Sequence, residues 1–249
     1  MAGLPNLGDY TFCCVPTAIL IDGGFFLKGH RFFFGKTTPK RVAEDLERMC
    51  LLHLRQESTD QRAGDGSTVW VQKQLYRVFF YDCPPLAKKV RHPLTKEEID
   101  LSQTTQARWR NELHLELRAI RKLALRLGYL NERTAVWGLR EKALKGILAG
   151  TRTKADLSKS DLFLDAVQKG VDMRIGLDIA SMAFKRQVDQ IILVSGDSDF
   201  VPAAKLARRE GIDVILDPLG ANIREDLHEH VDGIRTVWVK ASAGLPDAV

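Results

Sequence analysis

The sequence is poor in cysteine and has no long apolar run. Its four cysteines among 249 residues show neither the paired spacing of a zinc site nor the number that a disulfide framework needs. No apolar stretch reaches the roughly 18 to 20 residues of a membrane-spanning helix, and the first residues lack the basic and apolar regions of a secretory signal. These absences argue against secreted disulfide-rich and membrane-spanning classes, and they predict a protein of the reducing cytoplasm.

The composition is that of a globular protein, with 45% hydrophobic and 28% charged residues. A chain of this length has room for one large domain or for one domain that carries an insertion. We expect a single domain over residues 1–249, with a core at about 16–85 and 165–240 and an insertion at about 86–164.

Positive charge is concentrated in the middle of the chain. The net charge is +5, but residues 84–160 alone carry +9 and the remainder carries −4. A basic middle on a mildly acidic frame indicates that the middle meets a polyanion while the frame holds something cationic. A solvated helical surface explains the same charge run equally well.

Short runs rich in Ile, Val and Phe alternate with helical stretches along the chain. Such runs are typical of strands buried on both faces, and their alternation with helices predicts a parallel sheet flanked by helices. The predicted fold class is therefore α/β. The expected strands are at 17–24, 76–85, 190–200, 212–218 and 234–240. The expected helices are at 39–55, 173–187, 200–210 and 222–230.

The segment 86–164 interrupts this alternation. Thr95 followed by Glu98 has the spacing of a capping box, which marks the start of a helix. From Thr104 to Leu127 apolar residues recur at helical spacing, and the pattern stops at Gly128. We therefore predict that the insertion is mainly helical.

Acidic residues stand where several of the predicted strands end. Because ligands of open parallel sheets bind outside the carboxyl ends of the strands, this position is informative. Asp82 and Asp217 each lie directly before or near proline, which favours a turn-forming role. Asp22 has no such explanation. Asp197 and Asp199 lie two residues apart around a turn, so they repel one another unless a cation lies between them or one caps the next helix.

Two further aspartates belong to the helix predicted at 173–187. Asp172 is expected at the helix start, where the macrodipole favours an acid. Asp178 lies six residues later and cannot share a face with Asp172 if both are inside the helix. Asp178 aligns with Arg174 and Lys185, and a solvent-facing stripe accounts for this spacing as well as a site does.

Three segments, AILIDGG, KGVDMRIGLDIASMA and IILVSGDSDF, resemble the NYN domain of the LabA-like family. That family belongs to the PIN-like superfamily of metal-dependent ribonucleases. The resemblance implies a PIN-like (Rossmannoid) parallel sheet and a catalytic acidic cluster. The implied cluster consists of Asp22, Asp178, Asp197 and Asp199, with Asp172 and Lys169 close by. The sequence departs from the family at Gly23 and Gly24, where many members have Asn.

The implied cluster consists of hard oxygen ligands, which suit Mg²⁺ or Mn²⁺ rather than zinc. We expect Asp22 and Asp197 as direct ligands, and Asp178 and Asp199 as ligands through water or as residues that orient the attacking water. Such a site hydrolyses RNA by in-line attack on the phosphate. By family analogy, the products carry a 5′-phosphate and a 3′-hydroxyl.

Basic residues near the strand ends are the expected RNA contacts. Lys169 is a candidate phosphate contact, and Ser195 either shapes its turn or donates a hydrogen bond to a ligand. Phe32, Phe33 and Phe34 form either a stacking platform for unpaired bases or part of the core. Further candidates after the first two strands are Lys28, His30, Arg31, Lys88, Lys89, Arg91 and His92. Arginines of the insertion helix either grip a larger RNA or form the contacts of a homo-oligomer; these are Arg108, Arg110, Arg118, Arg121 and Arg126.

Two other functions fit parts of the sequence. A DNA nuclease with toprim-like chemistry also uses a DxD at a strand end, but it needs a separate strand-end Glu that the proposed strands lack. A non-catalytic RNA- or partner-binding module with a vestigial acidic site is the second alternative. Metal-dependent cleavage of RNA remains the favoured prediction because every motif position retains its carboxylate.

Overall fold

A computed structural model describes residues 11–62, 68–131 and 135–238. A mostly parallel sheet lies between two layers of helices, which confirms the predicted PIN-like α/β class. In the described part of the chain, every helix is too short or too polar to cross a bilayer.

The strands fall into one large sheet and three small two-stranded pairs. In chain order they are β1 (Thr11–Asp22), β2 (Arg55–Arg62), β3 (Thr68–Asp82), β4 (Lys89–Arg91), β5 (Glu98–Asp100), β6 (Leu123–Leu127), β7 (Tyr129–Leu130), β8 (Val136–Leu139), β9 (Leu162–Asp165), β10 (Gln168–Lys169), β11 (Gln190–Val194), β12 (Asp213–Asp217) and β13 (Gly233–Ile234).

The large sheet has the order β13-β12-β11-β1-β3, and β3 then pairs with both β2 and β6. All pairings are parallel except that of β2, which runs antiparallel to the first half of β3. Asp22 lies beside Tyr81, and Val194 lies between Ile21 and Asp217. The carboxyl ends of these strands therefore meet at one edge, called the carboxyl rim below.

The helices cover both faces of the sheet and bury its Ile, Val and Phe side chains. In chain order they are α1 (Gly23–Phe34), α2 (Pro39–Leu54), α3 (Thr105–Ala119), α4 (Glu141–Leu148), α5 (Val171–Phe184), α6 (Val201–Arg209) and α7 (Glu225–His228). Ile175 and Ala204 of α5 and α6 pack on one face with Leu193. Phe26, Leu46 and Leu113 of α1, α2 and α3 pack on the other face. The alternation of side chains along each strand thus feeds two cores.

Local sequence explains where two of these helices begin. The Thr38 hydroxyl accepts a hydrogen bond from the Arg41 N–H, and Pro39 occupies the first position of α2. The Thr104 hydroxyl accepts from the Ala107 N–H at 3.2 Å and caps α3. The capping box predicted at Thr95 is wrong, because the chain there turns and enters β5.

The predicted helix from Thr104 to Leu127 ends early. The backbone of Lys122 has a positive φ of 63°, and residues 123–127 form β6 on the open edge of β3. Leu123, Leu125 and Leu127 also fit the alternation of a strand, and pairing with β3 satisfies their backbone groups. The basic segment therefore holds the predicted α3 and also α4, which was not predicted. The insertion as a whole contains the strands β4 to β9 as well, so it is mixed rather than mainly helical, and β6 belongs to the main sheet.

Two further elements differ from the sequence prediction. Residues 23–34 form α1, which the strand prediction for 17–24 partly overlapped. The strand expected at 234–240 is reduced to β13, and residues 239 and 240 lie outside the described residues. After β13 the Arg235 guanidinium donates hydrogen bonds to backbone carbonyls of Leu52, His53 and Arg55, which ties the chain to the end of α2.

Candidate functional site

Asp22 is the last residue of β1 and stands at the centre of the carboxyl rim. Its Oδ1 accepts a hydrogen bond from the Phe25 N–H at 3.1 Å, so the side chain caps α1. Gly23 is required by packing, since a Cβ there would lie 2.5 Å from the Tyr81 carbonyl oxygen. The glycine that departs from the family pattern therefore lets α1 begin against β3.

Asp172 lies in the first turn of α5, as the sequence predicted. Gly170 precedes this helix with φ at +77°, a left-handed conformation that favours glycine. The glycine of the KGVD segment thus turns the chain out of β10 into α5. As a result Asp172 stands at the helix N-terminus beside the carboxyl rim.

Asp197 and Asp199 occupy the turn that follows β11. The buried Ser195 hydroxyl accepts the Asp197 N–H at 3.2 Å, so Ser195 shapes the turn. The Oδ1 of Asp197 then accepts the Asp199 N–H at 3.0 Å and caps a short 3₁₀ turn at Ser198–Phe200. Of the two aspartates, Asp197 therefore takes the capping role that the sequence left open.

These four aspartates influence one another electrostatically. Burial raises the pKa of Asp22 above its usual 3.8, and the charges of Asp172 and Asp197 add to that rise. Burial and the charges of Asp197 and Asp199 likewise raise the pKa of Asp172. Carboxylates brought this close are destabilised in their charged form. A cation bound among them would relieve that repulsion.

Within the described residues, the protein offers none of the four a compensating positive charge. Among the residues that the structure describes, neither Asp22, Asp172, Asp197 nor Asp199 forms an ion pair with Lys, Arg or His. Within the same residues, no three His, Cys, Asp or Glu side chains are already gathered tightly enough for a metal ion. The four acids are therefore neighbours on the rim whose oxygens partly serve as helix and turn caps.

Asp178 does not join this group. It accepts a hydrogen bond from the Tyr81 hydroxyl at 2.8 Å and pairs with the Arg126 guanidinium through both carboxylate oxygens. Burial and the neighbouring Asp178 raise the pKa of Tyr81, so its hydroxyl stays protonated and donates. Asp178 therefore faces β3 and β6, whereas Asp172, six residues earlier, faces Asp22.

The other two strand-end aspartates are buried and paired. Asp82 accepts hydrogen bonds at 2.7 Å from both Arg110 and His114 of α3. Burial opposes ionisation of Asp82, but these two partners outweigh it and lower its pKa. Asp217 accepts from His53 at 2.8 Å and from the Leu219 N–H, consistent with the predicted turn-forming role.

Sequence reasoning missed the histidine and arginine partners of these acids. Arg110 and His114 are four residues apart on a predicted helix, so they share one face, and this spacing was a usable signal. No local pattern links His53 to Asp217, because 164 residues separate them. That pair exists only once the sheet has formed.

The predicted RNA contacts are spread around the rim. Lys28, Arg31, Arg91 and Lys169 are exposed, whereas Lys89 pairs with Glu98 at 3.3 Å. Lys88 is half-buried, His92 is buried beside Trp137, and His30 is buried against Asp45. Two of the insertion arginines, Arg110 and the half-exposed Arg126, pair with aspartates. The other three are exposed: Arg108, Arg118 and Arg121.

The three adjacent phenylalanines belong mainly to an aromatic group around Trp238. Phe33 and Phe34 contact the Trp238 ring with centroid separations of 5.7 and 5.1 Å. Phe32 is 64% exposed and makes an edge contact with Phe33. Phe34 keeps 43% of its surface exposed, so packing, the alternative that the sequence left beside base stacking, accounts best for Phe33.

Comparison with known proteins identifies the family. The NYN domain pattern matches residues 97–228, more than half of the chain, so the chain belongs to the NYN domain family. NYN domains are part of the PIN-like nuclease superfamily, whose members are generally metal-dependent ribonucleases.

The remaining comparisons add little about function. No curated protein matches the sequence. A crystal structure of a protein of unknown function from Vibrio parahaemolyticus is similar at 16% identity and a TM-score of 0.45. That similarity covers 90% of this chain and 93% of the other.

Proposed function

We propose that this NYN protein is a metal-dependent ribonuclease whose site is the unpaired acidic group at the carboxyl rim. The observation that carries the proposal is that Asp22, Asp172, Asp197 and Asp199 lie near enough to raise one another's pKa and, within the described residues, pair with no protein cation. The strand-end acids Asp82 and Asp217, by contrast, are paired. Mutual repulsion among the four unpaired acids costs folding free energy that a bound divalent cation would recover. NYN membership supplies the reaction class.

The donor set fits Mg²⁺ or Mn²⁺. Carboxylate oxygens are the ligands that these ions prefer, and Mg²⁺ needs only one or two of them because it keeps several waters. We propose Asp22 and Asp197 as direct ligands, with Asp172 and Asp199 holding metal-bound water. Such an ion, when bound, lowers the pKa of water and stabilises charge on the scissile phosphate. Ser195 and Gly23 fix the backbone from which these carboxylates project.

Asp178, expected from the family pattern as a ligand, takes a different part in this proposal. Its oxygens hold Arg126 and Tyr81, so direct metal contact would require that ion pair to break. We propose that Asp178 positions Arg126 on the rim side of β6. The KGVD and SGDSDF segments support placement in the LabA-like branch of the NYN family.

We further propose that residues 1–249 form one NYN unit. The matched range begins at residue 97, yet β1 and β3, which precede it, form the centre of the sheet. Without β1 the site would lack Asp22, and α5 would lose much of the surface on which it packs. The cytoplasmic location expected from composition stays a prediction.

The test is cleavage of single-stranded and structured RNA by the purified full chain with Mg²⁺, with Mn²⁺ and with EDTA. We expect cleavage that needs metal and falls at least about 100-fold in Asp197→Asn and in Asp172→Asn, a loss of about 2.7 kcal/mol of transition-state stabilisation. The matched control is Asp189→Asn, an exposed aspartate just before the opposite end of β11. Its cleavage rate should equal that of the wild type.

Metal binding is measured separately by thermal unfolding. Mn²⁺ at about ten times its dissociation constant should stabilise the wild type by about 1.4 kcal/mol, and should have little effect on Asp197→Asn. RNA binding without cleavage under any metal would show a non-catalytic module. Cleavage of DNA alone would show a DNA nuclease. Either result would overturn the proposed function.

A further inference from the structure

A cleft of about 470 Å³ opens between α1, the start of α2 and the first turns of α3. Its size lies within the range of small-ligand sites in proteins. The residues that matter for its chemistry are Leu27, Arg31, Lys36, Thr37, Trp109 and Arg110. We call it the Trp109 cleft.

The Trp109 cleft is positively charged. Arg31 and Lys36 are exposed on one wall, and neither forms a side-chain hydrogen bond or ion pair within the described residues. Arg110 lies on the other wall and is held in place by Asp82. No described Asp or Glu lines the cleft itself. An anion entering it therefore meets two cations without a carboxylate partner, Arg31 and Lys36, beside Arg110, whose charge Asp82 shares.

The indole of Trp109 is fixed in this cleft. Its Nε1–H donates to the Thr37 carbonyl oxygen at 3.0 Å, and the ring packs on the core below α1 and α2. Because the ring is already fixed, little conformational entropy is lost when a flat group stacks on it. Aromatic side chains of this kind bind unpaired bases of any sequence, because every base has a π-face.

The cleft is close to the acidic group. Burial raises the pKa of the Cys83 thiol to about 11, and the charges of Asp82, Arg110 and Asp172 act on the same sulfur. Arg110 lines the same pocket as Cys83, and Cys83 packs in one core cluster with Val171, the residue before Asp172. In addition, Arg110 holds Asp82, which follows Tyr81, the neighbour of Asp22 across the sheet.

From this geometry we infer that the Trp109 cleft is a nucleotide subsite for single-stranded RNA beside the cleavage site. Arg31, Lys36 and Arg110 take the phosphates, and an unpaired base stacks on Trp109. The inference rests on the proposed function for its choice of RNA as ligand. A subsite of this kind would hold the strand by its backbone while the scissile phosphate meets the acids, which themselves repel RNA.

The test measures binding without catalysis. A fluorescein-labelled eight-residue oligouridylate is titrated with the full chain in EDTA, and anisotropy gives the dissociation constant at several salt concentrations. We expect Arg31→Glu/Lys36→Glu to bind at least about tenfold more weakly. Its salt slope should be smaller by about 1.4, because two phosphate contacts contribute about 0.7 each.

The matched control reverses two exposed charges on α6, Lys205→Glu/Arg209→Glu, and changes the net charge by the same amount. It should bind as tightly as the wild type. Trp109→Leu should also weaken binding about tenfold, and Trp109→Phe should recover most of it because the ring remains. Circular dichroism and thermal unfolding of each variant show that the fold is intact.

Several outcomes would overturn the subsite. One is that the α6 control loses as much RNA affinity as Arg31→Glu/Lys36→Glu, and another is that Arg31→Glu/Lys36→Glu binds as tightly as the wild type. The others are that the wild type binds a duplex of the same length equally well, or that it does not bind the oligouridylate at all. The two proposals separate cleanly. If the protein cleaves RNA but Arg31→Glu/Lys36→Glu binds RNA as the wild type does, only the subsite is refuted. If RNA binding depends on the cleft but the protein never cleaves RNA, only the nuclease proposal is refuted.

Discussion

Two groups of aspartates lie around the carboxyl rim, and they differ in what surrounds them. Asp82, Asp178 and Asp217 each accept hydrogen bonds from an arginine, a tyrosine or a histidine of another element. In the second group two carboxylates, those of Asp22 and Asp197, accept hydrogen bonds from nearby backbone N–H groups, and no member pairs with a protein cation within the described residues. This group consists of Asp22, Asp172, Asp197 and Asp199.

This difference separates the carboxylates that stabilise the fold from those that do not. The side chains of Asp82 and Asp217 are 4% and 0% exposed, so their charge must be matched by a partner for the sheet to pack. Asp172, Asp197 and Asp199 remain exposed, and the pKa of Asp172 is raised rather than lowered. A residue kept where it opposes folding is a good candidate for function.

The largest effect on stability is expected at a paired carboxylate. Asp82→Asn removes the charge that Arg110 and His114 share, and should lower the free energy of unfolding by about 3 kcal/mol. Urea unfolding followed by circular dichroism measures this loss. Asp197→Asn is the matched comparison on the same rim and should be at least as stable as the wild type. Equal losses in the two variants would remove the distinction between the groups.

A smaller effect is expected at Asp178. Asp178→Asn keeps an acceptor for Tyr81 but loses the ion pair with the half-exposed Arg126, which should cost about 1 kcal/mol of folding free energy. Arg126→Gln should cost the same, and the double variant no more than either one. Urea unfolding of all four proteins completes this cycle.

Cleavage assays of the same variants test the role of Asp178 directly. If Asp178 acts by holding Arg126, both single variants should reduce cleavage by similar amounts of less than about tenfold. A different result would make Asp178 a metal ligand. In that case Asp178→Asn would lose as much cleavage activity as Asp197→Asn, while Arg126→Gln would stay active.

The smallest effect is a difference in pH dependence between wild type and Asp22→Asn in EDTA. Because the folded state raises the pKa of Asp22 above 3.8, it binds this proton more tightly than the unfolded state does. Stability of the wild type relative to Asp22→Asn should therefore fall as pH rises above 3.8, and level off beyond the folded pKa. Urea midpoints from pH 4 to 7 measure it, and a relative stability that rises with pH would contradict the assignment.

The sequence predicted the central sheet well. Strands ending at Asp22, Asp82 and Asp217 follow from short runs of β-branched and aromatic residues, which are readable because a buried parallel strand is apolar on both faces. The helix starting near Asp172 follows from its 3.6-residue period. The same reasoning extended α3 through residues 123–127, because a short apolar run fits either a helix or a strand and only the open edge of β3 decides.

The sequence predicted only some of the residues and contacts of the candidate site, for a similar reason. Asp22, Asp197 and Asp199 follow from strand ends that share a rim. Asp178 fitted the family pattern, but its contact with Arg126 depends on β6, which the sequence analysis interpreted as helix. The Trp109 cleft combines residues from three helices, and no local spacing indicates it.

What the sequence determines by itself is the chemistry available: hard carboxylate oxygens at the ends of apolar strands, and a basic segment between residues 84 and 160. Tertiary structure alone decides which of those carboxylates are neutralised, because Arg110, His114, Arg126 and His53 reach their partners from distant parts of the chain. The physical reason is that a charge pair forms over a few ångströms of space, whereas a sequence pattern reports only neighbours along the backbone.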